Sequence, residues 1–168
     1  MSDIKKFKGG AELQAFLDQL PAKIERNIMR SAMRDGAKVL HAEIKSNAPE
    51  DTGELRDGLK ISTRAKGGKV RASVKAKGKH GFLAPWFEYG TRAHQIGGRK
   101  GQTLAFAGGV YKSVEHPGMR PRPFMRPALD TKGGEAIAAV GAGIKKRLTK
   151  QGLDASGVEF DAETDEES

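Results

Sequence analysis

From Pro21 to Ala48 the chain reads PAKIERNIMRSAMRDGAKVLHAEIKSNA, and its apolar side chains return at intervals of mostly three, four or seven residues. Ile24, Ile28, Ala32, Val39, Leu40 and Ile44 fall on one side, with charge on the other. That period predicts a long helix with a single apolar stripe. Pro21 suits a first helical turn, and Asn47-Ala48-Pro49 ends the helix because the residue before proline avoids helical dihedrals. Gly36 weakens its middle slightly. A stripe this long has to be covered, so the remaining chain must supply a layer to lie on it. Upstream, Leu13, Phe16, Leu17 and Leu20 have helical spacing of their own, predicting a shorter helix before Pro21.

The layer is legible further on. Val70, Ala72, Val74 and Ala76 alternate with Lys69, Arg71, Ser73, Lys75 and Lys77, a period of two that predicts a strand with one apolar and one strongly basic face. With Leu55, Leu59 and Ile61 before the Gly67-Gly68 turn, it forms a hairpin. FLAPWFEYGT, residues 82–91, is the most aromatic patch, and RAHQIGGRKGQ after it reads as a mobile Gly-rich basic loop. Two short strands, Thr103–Ala107 and Val110–Val114, are expected on either side of Gly108-Gly109. HPGMRPRPFMRPALD, residues 116–130, has prolines at 117, 121, 123 and 127, no two of them three apart, so it carries no PxxP ligand motif. It reads as a stiff docked arm running into a helix, with Pro123 or Pro127 in the first turn and Phe124 and Leu129 packed inward. Ala136, Ile137, Val140, Ile144 and Leu148 line one face of that helix, despite four glycines that each cost about 1 kcal/mol relative to alanine. The fold class is therefore α+β: a long N-terminal helix and a C-terminal helix packed on a small antiparallel β-sheet, with an extended Pro-rich arm and a mobile loop. One domain spans residues 1–153, followed by a tail over 154–168.

The net charge of +9 hides an asymmetry. The tail holds seven acidic residues and no Lys or Arg, a composition that predicts disorder, and the body retains 30 basic against 14 acidic residues. Such a body attracts polyanions or acidic proteins. With no cysteine there is neither a disulfide framework nor a thiolate metal site. The N-terminus lacks the apolar core of a signal peptide, and no apolar run reaches the ~20 residues of a membrane span. Asp51-Thr52-Gly53 matches the aspartic-protease triplet but lacks its apolar flanks, and reads as a turn. His41, His80, His94 and His116 have no metal-ligand spacing, and His116 before Pro-Gly reads as a turn residue bonded to backbone. GGRKGQ lacks phosphate-loop spacing, and no GxSxG is present. The expectation is a protein without catalysis, metal or cofactor.

Three pieces stand in fixed order: a long helix ending in AP-x-DTG-x-L (Ala48–Leu55), an aromatic patch ending in Glu88-Tyr89-Gly90-Thr91, and HPG…RPFMRPAL (His116–Leu129). Together they resemble the small neck and tail-completion proteins of long-tailed bacteriophages, the gene-ten-like tail-component family, over roughly residues 10–150. The resemblance implies a virion structural protein of the head–tail junction, assembled in the host cytoplasm. It would form a ring, sixfold at the family level, around the DNA channel and join the tail tube to the head connector. Its partners would be further copies, neighbouring neck and tail-tube proteins and passing genomic DNA, with no membrane. Candidate subunit or partner contacts are Trp86, Glu88, Tyr89, Thr91, Arg120, Arg122, Phe124 and Arg126. For Phe124, as for Phe87, core packing is the favoured reading over a subunit contact, and Glu88 reads as the acid of an ion pair with an arginine, within the subunit or across the ring. Lys69, Arg71, Lys75, Lys77, Arg99 and Lys100 form a candidate face for DNA or an acidic partner; the acidic partner is weighted slightly ahead, because tight phosphate contacts would hinder DNA passage. The alternative reading is a free, non-specific nucleic-acid-binding protein.

Overall fold

The apolar stripe of the first long helix organises everything around it. A computed structural model describes residues 7–8, 22–50, 53–97, 103–106, 108–152 and 158–159. Helix α1 (Ala22–Asn47) buries Ile28, Ala32 and Ile44 of the expected stripe together with Ala37, while Ile24, Val39 and Leu40 are partly buried. The shorter helix expected over Leu13–Leu20 lies outside the described residues, as does the Asp51-Thr52 turn.

After one turn of helix, α2 (Glu54–Asp57), the chain forms the hairpin β2 (Leu59–Lys66) and β3 (Lys69–Ala76). Its register pairs Leu59 with Ala76, Ile61 with Val74, Thr63 with Ala72 and Ala65 with Val70. These residues make the face turned to α1, and the His41 imidazole of α1 meets the Leu59 carbonyl at 3.0 Å. The aromatic patch is helical, α3 (Leu83–Tyr89).

The next strands correct two expectations. Val110–Val114 is not one strand. The chain breaks at Lys112, so β6 (Gly109–Tyr111) pairs with β5 (Leu104–Phe106), and β7 (Ser113–His116) pairs with β4 (His94–Gly97). Residues 94–97, read as mobile loop, are held in that ladder. The described strands form separate two-stranded ladders rather than one sheet. The last of these pairs β1 (Phe7–Lys8) with β8 (Val158–Glu159) in parallel, so two residues of the acidic tail hold strand positions.

Helix α4 (Arg126–Lys150) lies on α1. Gly143 of α4 and Gly36 of α1, costly for isolated helices, have a reason here, whereas Gly133 and Gly134 face open space. A Cβ on Gly36 of α1 would sit 2.6 Å from the Ala136 carbonyl oxygen and 2.5 Å from Val140 Cγ2, and one on Gly143 would sit 3.2 Å from Ala32 Cα. Small residues on both helices let the backbones approach, and the Arg147 guanidinium reaches across to Asp35 at 2.8 Å. Burial of the Asp35 carboxyl favours its neutral form, but hydrogen bonds and charge from Lys38 and Arg147 prevail and hold its pKa below the usual range. Close contact through small residues also narrows the buried stripe of α4. Leu129 and Ile137, expected to face inward, flank that stripe and stand 56% and 55% exposed.

Candidate functional site

The three sequence motifs meet at one place. One cluster of buried residues takes Ala48 and Leu55 from the first motif, Ala84 from α3 within the second, and Phe124 and Ala128 from the third, closing on Ile44 and Leu59. Phe87 and Met125 pack against it. Phe124, considered above as a contact residue, is fully buried within its own subunit and has no surface to offer a partner.

A single carboxylate joins the second motif to the third. Helix α4 begins at Arg126, and its N-cap residue, Met125, has no capping oxygen. The first backbone N–H groups of a helix have no partner inside it, so something else must accept from them. Glu88 does. Its Oε2 accepts from the N–H groups of Phe124 (2.9 Å) and Met125 (3.0 Å), and its Oε1 accepts from the N–H of Arg126 (3.0 Å). Pro127, at the next position, has no N–H to satisfy. The Arg126 side chain completes the arrangement: Nε donates to Oε1 at 3.2 Å, Nη2 donates to the Glu88 carbonyl at 3.0 Å, and the guanidinium lies 4.8 Å from the Tyr89 ring centroid. Glu88 is the one buried charged residue among those described. Burial pushes its pKa up, but the three backbone N–H groups and Arg126 outweigh this and keep it below the ordinary glutamate value. An anion at a helix N-terminus is also favoured by the helix dipole.

The Pro-rich segment is tied to α3 along its length. Thr91 and Met119 exchange backbone hydrogen bonds of 2.9 and 3.1 Å, and the Met119 N–H also meets Thr91 Oγ1 at 2.9 Å. The Arg122 N–H donates to the Phe87 carbonyl at 2.7 Å. Gly90 makes this crossing feasible: its φ is 72°, and a Cβ there would stand 2.5 Å from the Met119 carbonyl oxygen. His116 accepts from the Gly118 N–H at 3.0 Å, the turn role its sequence context suggested.

The remaining contact candidates divide by exposure. Trp86 (48%) and Tyr89 (68%) point outward with Phe82, whose ring makes an edge contact with Trp86 at 5.3 Å. Arg120 and Arg122 are exposed, and Thr91 is half-buried in the Met119 bridge. Glu88 has no free surface. On the hairpin, Lys69, Arg71 and Lys75 are exposed on the side away from α1, and Lys77 continues their row just past the strand. Arg99 and Lys100 lie outside the described residues. The sequence reading missed Lys60, Arg64 and Lys66, which the register sets directly opposite Lys75, Arg71 and Lys69. The signal was present: after Leu59, LKISTRAK places a basic or hydroxyl residue at every second position.

Among the described residues no group of three His, Asp or Glu is placed to hold a metal ion, and no helix is long and apolar enough to cross a membrane. Residues 11–90 match the family model described as "Bacteriophage HK97-gp10, putative tail-component". This is the family resemblance stated above, and it covers the first motif and most of the second. It supports a structural role in a phage tail. No curated protein and no solved structure matches the chain.

Proposed function

We propose that this chain is a structural component of the phage head–tail junction, which forms a ring around the DNA channel and joins the tail tube to the head connector without catalysis. One observation carries the reading beyond a tail component in general: the latched α3–α4 unit leaves a surplus of exposed apolar side chains. Phe82 just before α3, Trp86 and Tyr89 on it, and Leu129 and Ile137 on α4 are each about half exposed or more, although the core closes without them. An apolar surface bordered by charge is what a subunit contact requires. A heterologous contact between identical subunits closes into a ring when its rotation permits. The partners are further copies of the chain, neighbouring neck and tail-tube proteins, and the DNA that passes through; the site of action is the virion.

Two measurements test this. Electron microscopy of virions carrying a tagged copy is expected to place it at the head–tail junction, and density elsewhere refutes the assignment. Deleting the gene is expected to leave filled heads beside unjoined or abnormal tails; normal infectious particles without the protein refute it independently.

A further inference from the structure

The solvent face of the β2–β3 hairpin carries six cations and no acid. Its register stacks three like-charged pairs, Lys60 opposite Lys75, Arg64 opposite Arg71, and Lys66 opposite Lys69, with Ser62 opposite Ser73 between the first two. Directly opposed residues of an antiparallel pair share a face with Cβ atoms about 4.5–5.5 Å apart, and each such pair of like charges destabilises the hairpin. All six cations are exposed. Among the described residues, none is paired with an acid; the ion pairs lie elsewhere. Among the described residues nothing offsets the repulsion, while the opposite face of the same hairpin is already used against α1.

We infer that this face binds the sugar–phosphate backbone of duplex DNA, without reading its sequence. The chemistry of the face separates DNA from an acidic protein. A protein interface needs an apolar or aromatic centre and is depleted of lysine, whereas these eight positions hold four Lys, two Arg and two Ser and no apolar side chain. Phosphate contacts are made by Lys, Arg and hydroxyl groups. Asn and Gln, which read adenine edges, are absent from these positions; whether the Lys and Arg side chains stay on phosphates and off guanine edges is decided by the comparison of two sequences below. Duplex DNA carries a charge about every 1.7 Å of its axis, so an eight-residue ribbon roughly 27 Å long can meet a phosphate with each cation. The weighting toward an acidic partner is thereby reversed for this face. The inference deepens the channel reading above by naming the surface that meets the DNA, and its test is separate from that of ring assembly.

The test uses the full chain, 30-base-pair duplexes of two unrelated sequences, and fluorescence anisotropy from low to moderate salt. Six phosphate contacts predict that log K falls against log salt with a slope of about −5, equally for both sequences. Arg64→Gln/Arg71→Gln should reduce the slope by about 2 and weaken low-salt binding at least tenfold, while raising the melting temperature or leaving it unchanged because a like-charge pair is removed. Arg92→Ala/Lys112→Ala, exposed cations off the hairpin, should leave the slope unchanged. The inference is overturned by absence of binding, by a slope indifferent to the hairpin variant, by an equal effect of the off-hairpin variant, or by poly-glutamate displacing DNA at matched charge. Ring formation, followed by microscopy with the same proteins, reports separately: rings without DNA binding refute this inference alone, and DNA binding without rings refutes the assembly reading alone.

Discussion

Replacing Glu88 with glutamine keeps the side chain's shape and removes half of its accepting capacity. The carboxylate accepts four hydrogen bonds, two on each oxygen: Phe124 and Met125 N–H on Oε2, Arg126 N–H and Nε–H on Oε1. A carboxamide has one oxygen, and its NH2 group is itself a donor. Whichever way it turns, two N–H groups face a donor. Leaving a buried donor unsatisfied costs about 1–3 kcal/mol, and loss of the anion at the helix N-terminus adds about 0.3–1 kcal/mol. The expected loss is about 3–5 kcal/mol, a large share of the ~5–15 kcal/mol that holds a typical domain. For a chain of this length it corresponds to a melting temperature lower by about 10 °C, read by circular dichroism at neutral pH. Arg126→Ala is the informative comparison. It removes the ion pair but leaves the backbone donors capped, and its side chain is 59% exposed, so screening limits its cost to about 1 kcal/mol. If Glu88→Gln shifts the midpoint by less than about 3 °C, or Arg126→Ala shifts it as far, the claim that the carboxylate acts chiefly as a helix cap is wrong.

The same group sets a pH dependence. Glu88 has a folded-state pKa below its unfolded value of about 4.3, so its contribution is full above that range and is lost as pH falls through the folded value. The stability gap between wild type and Glu88→Gln in urea titrations should therefore shrink between pH 6 and pH 3; a constant gap contradicts the assignment. At the helix crossing, Gly36→Ala should lower the unfolding free energy from urea titration by about 1–3 kcal/mol despite alanine's better helix propensity, because its Cβ meets the Ala136 carbonyl. Gly134→Ala, with open space around it, should be stabilising by about 0.5–1 kcal/mol, and a Gly36→Ala protein more stable than wild type refutes the close-packing account. Trp86→Ser/Tyr89→Ser should change the melting temperature by only a few degrees while abolishing self-association in sedimentation; a variant that still assembles removes this patch from the subunit contact.

Periodicity made the elements readable. Ile28, Ala32 and Ile44 repeat with the helical turn, Val70 to Ala76 alternate with the pleat, and Pro127 marks a helix start, because each pattern follows from one element burying one face. The motif order and the aromatic surplus were equally local facts. What stayed hidden were contacts between distant positions, which no local period encodes. Gly36 and Gly143 look like defects until the opposing helix is in place. Leu129 and Ile137 look like core until the crossing narrows the stripe. The hairpin register turned one basic strand into a ladder of like-charged pairs by bringing Lys60, Arg64 and Lys66 opposite their partners. Glu88 could be read as an acid near arginines. That its two oxygens would close the start of a helix 36–38 residues away followed only from the fold, because orphan N–H groups take whichever acceptor packing delivers to them.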